Sequence, residues 1–428
     1  MTLWLLLACQ PTVIAVDDTA APGLAFDAPP ENVLFITLDT TRRDAIGRWS
    51  GEDTTPNIDA LLADAVVLED HRSCSNWTWD SVLCLQTGST PYSLDFDYVS
   101  NLGAPNESVS ETTRLASDAL SDAGFQTALI SAQPFMSAQT NLDRGFQHLF
   151  FQNDVNAEVI TSSALATLAA FDPAMPWYMH LHYMDPHDLY RAPPAYVGEL
   201  APIDYDPADR ASWEVLLLEY PQLDADTQAH IREHLQTLYL GELRYADEQI
   251  GRLLKSMSGE GWLDDTLVVF VTDHGEQIWQ HEHATHGASL FEEENRSAAA
   301  MWSRGLAPGT WDGPSTHVDI WPTAMAALGI PWDSQGLPLG ARGPESALTA
   351  LRYRGENTLQ AAIRQDVKLV YQWSGEKALY RLADDPGELV NRYDPEDSEV
   401  LALWDVLMPE VNGLRQGLDT TDPVDPGP

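Results

Sequence analysis

Four short, nearly unbroken apolar runs mark the chain at 32–38, 127–130, 177–184 and 266–272. Runs of this length with no polar alternation predict strands covered on both faces, as in a parallel sheet. Between them, residues 58–67, 110–123, 158–171 and 228–257 place apolar side chains at i, i+3 and i+4, the spacing of amphipathic helices. Strands alternating with helices predict a doubly wound α/β sandwich.

Gly and Pro cluster at 331–344, and the pattern changes beyond them. Residues 361–364, 367–371 and 377–382 predict short strands of a small antiparallel sheet, followed by a helix over 398–414. The expected organisation is a leader and linker at 1–31, a main domain at 32–340, a C-terminal subdomain at 341–415 and an acidic Pro-rich tail at 416–428.

The chain has 428 residues with 65 acidic and 23 basic side chains, a formal charge of −42. Binding to nucleic-acid phosphates needs a basic face, so no nucleic-acid partner is expected. The lysines are Lys255, Lys368 and Lys377. The opening Met-Thr-Leu-Trp-Leu-Leu-Leu-Ala-Cys9 resembles a bacterial lipobox, which predicts export and a lipid on Cys9. The expected location is periplasmic or cell-surface, with the membrane touched only through that anchor. Cys74 and Cys84 then either pair in an oxidising compartment or remain buried thiols.

Asp39, Asp185 and Asp273 each stand at the end of an apolar run, with His187 and His274 close behind the last two. Ligands of open α/β sheets bind at the carboxyl ends of strands. Asp39, His187, Asp273 and His274 can therefore converge. Carboxylate and imidazole together suit Ca²⁺, Mg²⁺, Mn²⁺ or Zn²⁺. Taken singly, an Asp after a strand is more often a turn or helix cap. His281, His283 and His286 follow closely, and a His-rich tract can also be a solvated metal scavenger.

Asn32-Val-Leu-Phe-Ile-Thr-Leu-Asp-Thr-Thr-Arg-Arg-Asp44 resembles the first strand and metal loop of the sulfatases, in the alkaline-phosphatase-like superfamily. Thr55-Pro-Asn-Ile, Thr87-Gly88, Gly145-Phe146, His182-Tyr-Met-Asp-Pro-His187, Tyr245-Ala-Asp, Thr272-Asp-His-Gly-Glu276, His286-Gly287, His317-Val-Asp and Leu379-Tyr-Arg-Leu-Ala-Asp-Asp-Pro-Gly-Glu388 continue the resemblance in the family's order. It implies an α/β alkaline-phosphatase-like sandwich with a mostly parallel central sheet and a small C-terminal antiparallel sheet plus helix. It implies a divalent metal on Asp39, Asp273 and His274. Thr40, which stands where many sulfatases have a second Asp, is the fourth expected ligand. His187 and His286 match positions that contact the anionic oxygens or the leaving group.

The nucleophile position, counted back from Thr87-Gly88, is Thr78 in Thr78-Trp-Asp-Ser-Val82. Sulfatases have Cys-x-Pro-x-Arg there and oxidise the Cys or Ser to formylglycine. Asp80 and Val82 replace the Pro and Arg, so no formylglycine is expected. An unmodified Thr resembles envelope phosphotransferases and phosphodiesterases of the superfamily. As a sequence feature alone, Thr78 could equally be a helix cap. The resulting expectation is a metal-dependent hydrolase of small-molecule or glycan sulfate or phosphate esters, with Thr78 attacking in line. The alternatives are an envelope phosphotransferase or phosphodiesterase, and a non-catalytic member that binds anionic glycans.

Overall fold

The computed structural model describes residues 24–94, 108–153, 155–352 and 358–417. Cys9, most of the expected 1–31 leader and most of the 416–428 tail lie outside the described residues. No helix among the described residues is long and apolar enough to cross a membrane.

In chain order, β1 (Asn32–Leu38), β2 (Val66–Arg72), β3 (Gln126–Ser131), β4 (His148–Phe151), β5 (Trp177–Tyr183) and β6 (Thr266–Thr272) enter one sheet. β7 (Gln277–Ile278) and β8 (Ala284–Thr285) form a two-residue ribbon. β9 (Ala299–Trp302) and β10 (Gly309–Thr316) complete the large sheet, whose order is β10-β2-β9-β6-β1-β5-β3-β4. Its pairings are parallel except for those of β9 with β2 and β6.

The apolar run of β1 divides between two cores. Leu34, Ile36 and Leu38 pack into one cluster with Ile58, Ile160, Leu235 and Leu243 from the helices on that face. Val33 and Phe35 pack into the other with Leu83, Leu120 and Trp321. This two-sided burial is why the strand shows no polar alternation. Each buried Leu, Ile or Phe contributes about 1.5–3 kcal/mol of transfer free energy, so a mid-strand charge is strongly excluded.

Two helices differ from the periodicity. The helix expected at 58–67 is Pro56–Ala63, and Val66 and Val67 open β2 instead. β-Branched side chains fit a half-buried pleat better than a helix end. The helix expected from 110 is confined to Ala116–Asp122. Upstream, the Ser110 hydroxyl accepts from the Thr112 N–H at 3.2 Å, and Asp118 accepts from the Leu115 N–H at 3.1 Å, fixing the helix start.

β11 (Leu348–Arg352), β12 (Leu359–Arg364), β13 (Val367–Gln372) and β14 (Lys377–Arg381) form an antiparallel sheet in that order. Here the sequence pattern had missed β11. The helix Ser398–Gly417 lays Val400, Leu403, Trp404, Leu407 and Val411 on it. The sheet is joined to the main body at charged positions. Fully buried Lys368 of β13 lies 3.0 Å from Oε1 of Glu292 and 3.0 Å from Oε1 of Glu388, and Glu292 also meets Arg72 of β2 at 3.0 Å.

Candidate active site

β1 and β6 are parallel neighbours with Leu38 opposite Thr272, so the next residues, Asp39 and Asp273, leave the sheet side by side. The Asp39 N–H donates to the Tyr183 carbonyl at 3.0 Å and the Asp273 N–H to the Leu38 carbonyl at 3.1 Å, which extends the ladder to the site itself. Ligand atoms of Asp39, Asp273 and His274 lie within 4.8 Å of one another, and all three residues are fully buried.

The Asp39 carboxylate receives Gln133 Nε2 at 2.7 Å and lies 2.9 Å from His182 Nε2, both on Oδ2. Against the cost of burial, the His182 hydrogen bond and the charge of His187 hold this carboxyl below its usual range. Asp273 shifts the other way, because burial and then the charge of Asp39 oppose its ionisation. Oδ1 of Asp273 accepts the N–H groups of Thr40 at 3.0 Å and His274 at 2.7 Å, but its Oδ2 has no hydrogen bond. The Thr40 hydroxyl is also buried without a partner. Two adjacent carboxylates, an imidazole and two orphaned oxygens in a dry site form a donor set that fits a divalent cation, whose charge would offset their burial.

Thr78 is the first residue of the helix Thr78–Thr87; Trp77 occupies the cap position. The hydroxyl is therefore not a cap. It lies 3.0 Å from His274 Nε2 and 3.5 Å from Asp39 Oδ1. Every residue of this helix is buried. Its start is held by a disulfide between Cys74 and Cys84, Cα atoms 6.7 Å apart, and by Ser75 Oγ, which meets Asp80 Oδ2 at 3.4 Å. The Leu351 N–H of β11 donates to the Cys74 carbonyl at 2.8 Å.

Three imidazoles follow one another outward from the Thr78 hydroxyl, beginning with His274. The His274 and His286 ring centroids are 4.6 Å apart, and those of His286 and His187 are 5.0 Å apart. Burial and then the His286 charge lower His274 to about 3. Burial and then the His187 charge lower His286 to about 4. His187 goes up to about 10: burial opposes the shift, but the carboxylate of Asp188, 2.9 Å from Nδ1, outweighs it. His187 is thus the cation of the three. His281 lies apart, stacked on Phe291 with centroids 3.6 Å apart, and His283 is exposed.

A buried carboxylate couples the segment just before the Thr78 helix to the one that carries His286. Glu294 Oε2 accepts from Asn76 Nδ2 at 2.7 Å and from the Gly287 N–H at 2.9 Å. Sequence reasoning gave no role to Glu294, Gln133, His182 or Asp188. For His182 a signal exists: polar side chains at 180 and 182 interrupt an otherwise apolar strand on one face.

A family model described as Sulfatase matches residues 31–330. The uncharacterized sulfatase YidJ of Escherichia coli is 24% identical, across 85% of this chain and 83% of its own. A solved structure in complex with its substrate D-glucosamine-2-N,6-O-disulfate superposes with a TM-score of 0.72 at 19% identity, covering 93% of this chain and all of the other. The phosphonate monoester hydrolase of Agrobacterium radiobacter superposes with a TM-score of 0.66 at 18% identity, covering 94% of this chain and 99% of the other.

Proposed function

The chain belongs to the sulfatase family of ester-hydrolysing enzymes, and from that premise we propose that it cleaves sulfate or phosphate esters with unmodified Thr78 as nucleophile. The observation that carries this reading is the Thr78 hydroxyl, 3.0 Å from His274 Nε2 at the edge of the Asp39–Asp273–His274 cluster. A divalent cation held by Asp39, Asp273 and His274, with Thr40 beside them, would supply Lewis-acid polarisation of the ester and favour the ionised Thr78 oxygen.

The protein's own groups do the rest. The buried helix and its disulfide hold Thr78 Oγ in one place. Gln133 and His182 keep Asp39 oriented and ionised. His187, protonated through Asp188, neutralises charge growing on the ester oxygens or gives its proton to the leaving oxygen. Attack by Thr78 forms a bond to sulfur or phosphorus as the bond to the leaving alcohol breaks. Threonine lacks the second hydroxyl that lets a hydrated aldehyde expel the group by C–O cleavage. Water must therefore attack at sulfur or phosphorus to free Thr78, which is easier at phosphorus and favours phosphoesters.

The Cys74–Cys84 disulfide supports an exported enzyme, since such bonds persist in oxidising compartments. The test is to load the purified chain with Ca²⁺, Mg²⁺, Mn²⁺ or Zn²⁺ and assay aryl sulfate, aryl phosphate and aryl phosphodiester. Turnover of at least one, with rapid quench trapping the group on the Thr78 peptide, is expected. No turnover with any metal would overturn the reading.

A further inference from the structure

Beside the nucleophile stands a pair of half-buried aromatic rings to which the chemistry above assigns nothing. Trp77 directly precedes Thr78, and its ring centroid is 5.4 Å from that of His286. Phe135, from the loop after β3, lies 6.5 Å from Trp77 and 5.7 Å from buried Trp79. Trp77 and Phe135 both keep partial exposure over the core beneath them. The turn after His286 is shaped to the indole. Gly287 adopts φ +76°, and a Cβ there would come 2.8 Å from Trp77 Cε3. The rings thus stand next to the nucleophile along the chain and against one of the flanking imidazoles in space.

The charges nearby disfavour one class of leaving group. None of the three lysines serves this rim: Lys368 is buried in β13, Lys377 lies over Tyr393 and Trp404, and Lys255 is exposed on the helix Ala225–Gly259. Buried Val82 stands one helical turn beyond Thr78 and offers no cation. Asp188 and Glu276 border the histidines, and the whole chain carries a formal charge of −42. Arg210, 3.4 Å from Asp188 Oδ2, and His187 are both already paired with Asp188, so a polyanionic leaving group would approach an acidic chain whose nearby cations are engaged.

We propose that Trp77 and Phe135 form a leaving-group subsite that takes the flat or apolar face of an uncharged ring, aryl or saturated, esterified at the group Thr78 attacks. This deepens the ester-hydrolase reading and rests on it. Aromatic faces gain contact energy from such rings at low entropy cost because the rings are held before the ligand arrives. Trp77 and Phe135 would therefore set specificity through the alcohol and leave anion capture to the cluster behind them.

The test uses hydrolysis-resistant phenylphosphonate, cyclohexylphosphonate and methylphosphonate, titrated calorimetrically into the metal-loaded full chain. The parent should bind both ring compounds about tenfold more tightly than the methyl compound. Phenyl alone binding more tightly would assign the subsite to aryl groups; both doing so would assign it to any apolar ring face. Trp77→Ala and Phe135→Ala should erase the advantage while methylphosphonate affinity stays within about twofold. Equal affinity of the parent for all three compounds would overturn the subsite and leave the hydrolase reading standing. Failure of the parent to bind any of them would count against the hydrolase reading itself.

Discussion

Lys368 sits with its ammonium 3.0 Å from Glu292 Oε1, although one residue belongs to the C-terminal sheet and the other opens the short helix Glu292–Asn295 between His286 and β9. Glu292 is two residues from Glu294, which holds Asn76 and Gly287. The C-terminal sheet is thereby connected through ion pairs and hydrogen bonds to the segments flanking Thr78 and His286.

Lys368→Met should leave Glu292 and Glu388 facing one another without their shared cation. Removing one partner of a buried pair costs about 3–5 kcal/mol. Urea unfolding should show a loss of that order. A change below about 1 kcal/mol, the value of an exposed pair, would show that the network contributes little.

Thr78→Ala should be folded and inactive. The hydroxyl makes no cap bond, so stability should change by less than about 1 kcal/mol. Turnover of the best ester should fall by about 10³-fold or more, as expected for loss of a covalent nucleophile. Steady-state rates and an unfolding curve on the same sample separate the two effects.

Divalent cation should raise the unfolding midpoint of the parent, because the ion binds the folded cluster only. At a hundred times Kd the gain is about 2.7 kcal/mol. Asp273→Asn should abolish most of that gain, and chelation should abolish turnover. Thermal unfolding with and without metal, beside elemental analysis, reads the first effect independently of activity.

Glu294 gives a pH signature. Burial raises its carboxyl from 4.5 to about 7, against the hydrogen bonds of Ser289 and Asn76 that lower it. The folded state therefore holds this proton more tightly than the unfolded state. Its contribution to stability is full below about pH 4.5 and is lost as pH rises through about 7. Glu294→Gln should flatten that part of the profile, so that its stability relative to the parent improves from pH 5 to pH 8. Urea midpoints at the two pH values check the sign.

The legible part of the site was the part the sheet fixes. Asp39 and Asp273–His274 directly follow apolar runs, and parallel pairing of those runs brings them together. β1, β3, β5 and β6 were equally legible, because burial on both faces removes polar alternation. β9 and β10 were not: Ala299–Trp302 is short, and β10 carries Gly309, Asp312, Gly313 and Pro314 with a register shift between Trp311 and Pro314. Gln133, Glu294 and Lys368 were illegible for a different reason. Each acts on a partner from a distant loop or strand, and nothing local in the sequence distinguishes it from an ordinary polar residue.

The separations within the site bear on when it comes into being. Thr78 meets His274 across 196 positions of chain, and Thr40 meets Asp273 across 233. Loop-closure entropy must be overcome before such contacts reward it, so they form late in folding. No amino-terminal fragment ending before β6 contains the cluster, and a chain still being synthesised has Thr78 without its surroundings. Catalysis begins only when the central sheet has closed around β1, which makes ester turnover a reporter of completed folding and keeps the chain silent until then.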